Sequence, residues 1–258
     1  METTTAFGLI IIGDEILSGK RADKHFAAVR DILAARGLGL SWVAYLGDDR
    51  ARLTETLSRT FASHDVVFSC GGIGATPDDH TRQAAAQALG LPLEPHPEAL
   101  HLITERTLEV GQEVTPGRLR MGEFPIGADI IPNPVNRIPG FSIRRHWFVP
   151  GFPDMAWPMI EWALDTHYAH LFHKHPTAEQ AMLVFGLAEA TLTPLMEEVE
   201  QRWPGIKVFS LPRLNPKIYE IELGVKGPLE HVQVSFEFLR QGTAKLGGQI
   251  DEHAAQNS

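Results

Sequence analysis

One cysteine in 258 residues excludes an intramolecular disulfide framework. Cys70, at the end of an apolar run, reads as a small core residue, and no histidine partner can be placed beside it for catalysis. Basic residues are also scarce: 23 Lys and Arg stand against 32 Asp and Glu, a formal net charge of −9. That balance disfavours a broad nucleic-acid surface, because phosphate backbones require clustered Lys and Arg. No apolar run reaches the length of a transmembrane helix, and Met1-Glu2-Thr3-Thr4-Thr5 lacks the basic region of a signal peptide. The expectation is a soluble cytoplasmic protein with neither a nucleic-acid nor a membrane partner. Internal repeats and low-complexity segments are absent. Apolar residues, by contrast, make up 43 % of the chain, enough for one large domain or one domain plus a small one.

The first half alternates strands and helices. Phe7–Ile12 is a continuous apolar run, as in a central parallel strand. From Asp23 to Arg36, Phe26, Val29, Ile32 and Leu33 recur at helical spacing, and Gly37 suits the C′ position. Ser41–Leu46 reads as a strand, Arg50–Phe61 as a helix with Leu53 and Leu57 on one face, and Val66–Cys70 as a third strand. Such βαβ units imply right-handed crossovers and a parallel sheet with helices on both faces. Ligands of such sheets bind outside the carboxyl ends of the strands.

Three acidic groups follow the three strands: Asp14-Glu15, Asp48-Asp49 and Asp78-Asp79. Parallel strands place them on one edge of the sheet. The third group belongs to Cys70-Gly71-Gly72-Ile73-Gly74-Ala75-Thr76-Pro77-Asp78-Asp79-His80-Thr81, which leaves a strand and enters a helix over Arg82–Leu89. Glycines let the backbone approach a ligand closely, N–H groups at a helix start attract anions, and paired carboxylates suit a hard cation. A phosphate and a metal ion can therefore meet here. The plainer reading is a tight turn with Asp79 as an N-cap. The loop is neither the dinucleotide fingerprint nor a Gly-Lys-Ser/Thr phosphate loop. Lys20, Arg21 and Arg82 read as solvated charges or as phosphate partners.

Further on, Pro97–Val110 reads as a helix, Pro116–Met121 as a short helical turn, and Ala128–Ile131, Phe141–Ile143 and Trp147–Val149 as strands. Between them, Pro132–Gly140 is too proline-dense for regular structure. Asp154–Tyr168 reads as a helix. His167, His170, His173 and His175 suit a solvated helix end better than a metal site, since Pro176 breaks the pattern. Beyond Thr177, strands over Gln180–Phe185, Ile206–Ser210 and Lys217–Val225 and helices over Glu189–Trp203 and Leu229–Leu246 suggest a small α+β domain. The divisions expected are residues 1–170, 171–250 and a mobile tail over 251–258, its mobility beginning near Gly247.

Taken in order, Gly13-Asp14-Glu15-Ile16-Leu17-Ser18-Gly19, Gly47-Asp48-Asp49, the Gly71–Thr81 loop, Pro132-Asn133-Pro134 and Pro150-Gly151-Phe152-Pro153 resemble the molybdopterin-binding (MoCF) superfamily. The likeness is strongest to the CinA N-terminal family and to the corresponding region of FAD synthase, over about residues 5–170. The resemblance implies a parallel-centred three-layer α/β fold with the ligand site on the carboxyl edge. It implies Asp48 and Asp79 as the functional acids, with Asp14 and Asp78 completing a metal set. It also implies ligand or phosphate contacts at Gly71, Gly72, Gly74, Thr76, Thr81, Asn133 and Gly151. The family loop usually carries proline where Ala75 stands, and Asp23-Lys24-His25 replaces an Asn-containing segment. The C-terminal deamidase domain of CinA has no counterpart here, so amide hydrolysis is not expected.

Three functions follow. The first is a metal-dependent pyrophosphatase acting on a nucleotide diphosphate such as ADP-ribose, with Mg²⁺, Mn²⁺ or Co²⁺ as the divalent ion and K⁺ as a further candidate. The glycines would admit the diphosphate, Thr76 would donate a hydroxyl hydrogen bond, and the ion would activate water. The second is a non-catalytic module for molybdopterin or a related pterin phosphate, its rings flanked by Pro132–Gly140. The third is an interaction domain that keeps only the fold, to whose surface Trp157 and Trp162 could contribute, although they suit the core or a subunit interface better. Relatives of this kind are commonly oligomeric, and Trp147, Trp157 and Trp162 lie near the domain junction, so a homo-oligomer is expected.

Overall fold

Phe7–Ile12 (β1) is buried along its whole length, as a strand covered on both faces must be. The structure is a computed structural model, and it describes residues 5–213 and 220–251. The chain forms two units, Met1–Phe172 and His173–Ser258. In the first, β1 is followed by α1 (Asp14–Leu17), α2 (His25–Ala34), β2 (Leu40–Leu46), α3 (Arg50–Phe61), β3 (Val66–Cys70) and α4 (Thr81–Leu89). Then come β4 (Leu93–Pro95), α5 (Pro97–Glu109), α6 (Pro116–Leu119), β5 (Glu123–Pro125), β6 (Asp129–Ile131), β7 (Gly140–Ile143), β8 (His146–Val149) and α7 (Pro153–His167).

Six strands make one sheet in the order β2-β1-β3-β8-β7-β6. Strands β2, β1, β3 and β8 are parallel, and β7 runs antiparallel to both β8 and β6. Alternation along β1 divides the core. Leu9 and Ile11 pack with Val29 and Leu33 of α2 and Met159 and Ile160 of α7. Ile10 and Ile12 pack on the other face with Leu53 and Leu57 of α3 and Ala84 and Ala85 of α4. This is the three-layer, parallel-centred architecture expected. Cys70 lies in the first core, where burial pushes its thiol far above the usual range. Trp157 and Trp162 are half-buried against the same core, and the buried Trp147 donates its indole N–H to the Tyr168 hydroxyl at 3.1 Å.

Two local features depart from expectation. Helix α1 forms within the turn after β1, and β4 pairs antiparallel with β5 as a separate two-stranded sheet. Each of those strands has three residues and contains a proline, too short for any period to show. His167, His170, His173 and His175 are all exposed.

The second unit contains β9 (Thr177–Phe185), α8 (Glu189–Arg202), β10 (Lys207–Arg213), β11 (Glu220–Pro228), α9 (Leu229–Lys245) and β12 (Gln249–Asp251). Its antiparallel sheet has the order β10-β11-β9-β12. Met182, Val184, Leu223 and Val225 pack against Leu192 and Val199 of α8 and Val232 and Leu239 of α9. The α+β texture was expected, but β12 was not. It lies where a mobile tail was expected from Gly247, and residues 252–258 lie outside the described residues, as do residues 217–219 of the expected strand. No helix among the described residues is long and apolar enough to cross a membrane.

Candidate active site

The chain after β3 can turn only because two residues lack a Cβ. Gly71 and Gly72 have φ of 110° and 69°. A Cβ on Gly71 would lie 2.5 Å from the Ile12 carbonyl oxygen, and one on Gly72 would lie 2.2 Å from Thr81 Oγ1. Thr81 is buried. It donates its hydroxyl to the Gly71 carbonyl and its N–H to the Gly72 carbonyl, each at 3.0 Å. Thr81 was expected to contact a phosphate; it instead fastens the loop to α4. Gly71 donates its N–H to the Val149 carbonyl at 3.0 Å, and Gly151 lies against the Gly71 Cα. The loops after β3 and β8 therefore touch at their glycines.

Beyond Gly72 the loop is braced from beneath. Arg82, 3 % exposed, donates from Nη2 to the Gly74 carbonyl at 2.6 Å. It is neither the solvated charge nor the phosphate contact that its sequence position suggested. Above the loop, Asp79 Oδ2 accepts the Thr76 N–H at 2.8 Å and the Thr76 hydroxyl at 2.5 Å. The Thr76 hydroxyl is thus spent on Asp79 rather than offered to a ligand. Asp79 is also not the cap of α4, whose N-cap is His80. In contrast, the N–H groups of Gly72, Ile73, Gly74 and Ala75 have no acceptor among the described residues.

These residues line a cavity of about 440 Å³. Gly71, Gly72, Gly74, Thr76, Asp78 and Asp79 form one wall, with Glu15, Arg21 and Asp48 beside them. Asn133, Asn136, Ile138, Pro139, Gly151, Phe152 and Met155 come from the two later segments. So Asp48, Asp78, Asp79, Gly71, Gly72, Gly74, Thr76, Asn133 and Gly151 converge as expected, whereas Asp14 and Thr81 do not reach the cavity. Asn133 is 4 % exposed and folds its own segment. Its amide donates to the Ile138 carbonyl at 3.0 Å and its Oδ1 accepts the Val135 N–H at 3.0 Å.

Asp14 and Asp48 hold the first two strand ends together. The Asp14 N–H donates to Asp48 Oδ2 at 2.9 Å, and the Asp48 N–H donates to Asp14 Oδ1 at 3.3 Å. Burial, and after it the charges of Asp14, Glu15 and Asp78, raises the Asp48 carboxyl above the usual carboxylate range against the Asp14 N–H bond. Among the described residues no three His, Cys, Asp or Glu side chains form a ready-made metal cage. Mg²⁺-like ions, however, are commonly bound by one or two carboxylates plus substrate phosphates. Asp48, crowded by like charge beside the free loop amides, fits that kind of donor set.

Two supporting residues went unread in the sequence. His25, 5 % exposed, places Nε2 3.1 Å from the Gly151 carbonyl. Asp23 accepts the N–H groups of His25 and Phe26 at 2.8 and 3.1 Å, starting α2, and the Tyr45 hydroxyl at 2.8 Å. The only signal for His25 was its place in the segment that departs from the family pattern.

Comparison with known proteins agrees with this geometry. A family model described as a probable molybdopterin binding domain matches residues 8–170. A CinA-like protein of Geobacter metallireducens is 32 % identical over 205 residues, 78 % of this chain and 50 % of that protein. A protein of Pyrobaculum arsenaticum is 30 % identical over 230 residues, 88 % of this chain and 84 % of its own. The chain thus spans half the length of the Geobacter relative. Among solved structures, the protein CinA of Thermoplasma acidophilum, described as of unknown function, superposes with a TM-score of 0.57 at 26 % identity. That match covers 63 % of this chain and 97 % of the other. With the family model running across the strands of the six-stranded sheet and its glycine loop, and with CinA-like proteins among its relatives, this chain belongs to the molybdopterin-binding domain family.

Proposed function

We propose that this chain is a metal-dependent hydrolase of a nucleotide diphosphate such as ADP-ribose. The observation that carries the reading is the run of four N–H groups, Gly72 to Ala75, without an acceptor among the described residues, beside a half-buried Asp48. Successive free amides are an anion site. The cavity volume falls within the usual range for small-molecule ligands. The diphosphate sits on these amides, and Met121, Ile138, Pro139, Phe152 and Met155 offer an apolar wall to the remainder. Asp48, with Glu15 or Asp78, would hold a divalent ion together with phosphate oxygens. Such an ion neutralises phosphoryl charge and lowers the pKa of bound water. Asp79 uses Oδ2 for Thr76, so its other oxygen is the one available to accept a proton.

The test is a screen of the purified protein against ADP-ribose, FAD and NAD with Mg²⁺, Mn²⁺, Co²⁺ and K⁺ varied. AMP release that requires a divalent ion is the expected result; no release with any pair removes the hydrolase reading. A second reading, favoured by the description of the family model, is a binding module for molybdopterin or a related pterin phosphate. Tight pterin binding without turnover would select it. We further propose a homo-oligomer of this chain, and a monomer mass by light scattering across the micromolar range would refute it.

A further inference from the structure

We infer that Arg82 is the positioning residue of the anion loop, presenting the loop amides and adding a buried positive charge that favours polyanionic over singly phosphorylated ligands. This rests on the reading of the loop as a phosphate site. Arg82 does not line the cavity. Its Nη2 draws the Gly74 carbonyl to the far side of the loop. In a planar trans peptide the N–H points opposite the carbonyl, so the Ala75 N–H faces the cavity side. Without Arg82 this peptide is free to flip, which would present an oxygen where an anion must sit.

The charge is the second part. A guanidinium is normally buried only with a carboxylate in contact. Arg82 is 3 % exposed and, among the described residues, makes one hydrogen bond and leaves Nε with no partner. Burial is the largest influence on it and disfavours its charged form; the charges of Asp79 and Glu123 act in its favour and that of Arg120 against it. Asp79 already shares its Oδ2 with Thr76. An anion seated on the Gly72–Ala75 amides supplies the missing negative charge through a low-dielectric layer, where Coulomb terms are large.

Three variants separate the pin from the charge. Arg82→Gln can keep a donor to Gly74 without charge, Arg82→Lys keeps charge without the planar fork, and Arg82→Met removes both. The measurement is calorimetric affinity for inorganic phosphate and for pyrophosphate, with thermal melting alongside. We expect pyrophosphate affinity to fall in the order Arg, Lys, Gln, Met, with a loss of roughly tenfold or more for Met, as for a charge-assisted bond. Phosphate should lose less than pyrophosphate. Melting of Arg82→Met should be unchanged or higher, since a buried charge is replaced by an apolar chain. Equal losses for both anions together with a lower melting temperature would make Arg82 merely structural and overturn the inference. Wild-type affinity in Arg82→Met would overturn it as well and leave the loop reading standing. If wild type binds neither anion, the loop reading itself fails.

Discussion

Asp79 grips Thr76 twice with one oxygen: Oδ2 accepts the Thr76 N–H at 2.8 Å and its hydroxyl at 2.5 Å. One carboxylate thereby closes the Thr76–Asp79 turn and is held in place at the cavity wall. The Asp79 N–H returns to the Thr76 carbonyl at 3.1 Å.

Asp79→Asn keeps an acceptor oxygen but loses the charge. Stability should fall by about 1 kcal/mol, the worth of weakening one such bond. Metal-dependent AMP release from ADP-ribose should drop by on the order of a hundredfold, as for loss of a main electrostatic contribution. Turnover at saturating metal and the melting temperature are the two readouts. A folded variant with undiminished turnover would remove Asp79 from the chemistry.

Gly72→Ala should be among the costliest substitutions in the first unit. Its φ is 69°, and the new methyl would meet the buried Thr81 Oγ1 at 2.2 Å. A loss of about 2–4 kcal/mol in urea unfolding is expected, from backbone strain plus the broken Thr81 bonds. Gly90→Ala is the control, with φ of 65° but nothing within 4 Å of a Cβ. It should lose only about 1–2 kcal/mol. Equal losses would show that the Thr81 contact carries no weight.

His146 should make the first unit acid-sensitive. It is 1 % exposed, its Nε2 lies 2.9 Å from Thr60 Oγ1, and burial lowers its pKa from 6.5 to about 3. The unfolded chain takes up a proton near 6.5 and the folded one does not, so stability is lost as pH falls from about 6.5 towards 3. The limiting slope is about 1.4 kcal/mol per pH unit. His146→Phe, set among Phe61 and Phe148, should flatten this part of the stability profile. The same slope in wild type and variant would contradict the assignment.

Phe152 should select ligands by their rings. It is 59 % exposed, lines the cavity, and its carbonyl accepts the Met155 and Ala156 N–H groups that start α7. An aromatic face on a fixed backbone gains about 1–3 kcal/mol by stacking with a base. Phe152→Ala should weaken AMP binding by about tenfold and leave pyrophosphate binding unchanged, as calorimetry would show. A matching loss for pyrophosphate would place the effect in the loop rather than in the ring.

Much of this was legible in the sequence. The run Phe7–Ile12 and the periodicity around Val29, Leu33, Leu53 and Leu57 required a doubly covered parallel sheet, because only that arrangement buries both faces of a strand. Parallel direction alone then placed Glu15, Asp48, Asp78 and Asp79 on one edge with Gly71, Gly72 and Gly74. The strands β4, β5 and β12 stayed hidden, since three residues carry no period and their pairing partners are distant in the chain.

The roles of the polar side chains were decided only by the tertiary structure. Thr76, Thr81 and Asn133 have the chemistry to meet a phosphate, and nothing in their order distinguishes a hydroxyl or amide aimed at a ligand from one that ties a turn. Packing distinguishes them: Thr81 lies buried beneath Gly71, Asn133 folds inward on Ile138, and Thr76 faces Asp79. The same holds for Arg82. Its place one residue into α4 followed from local sequence, but its burial under Gly74 depends on how α4 meets the loop. Strand and helix periods are local properties that a sequence determines by itself. Which donor meets which acceptor depends on contacts between distant segments, and only the folded chain sets them.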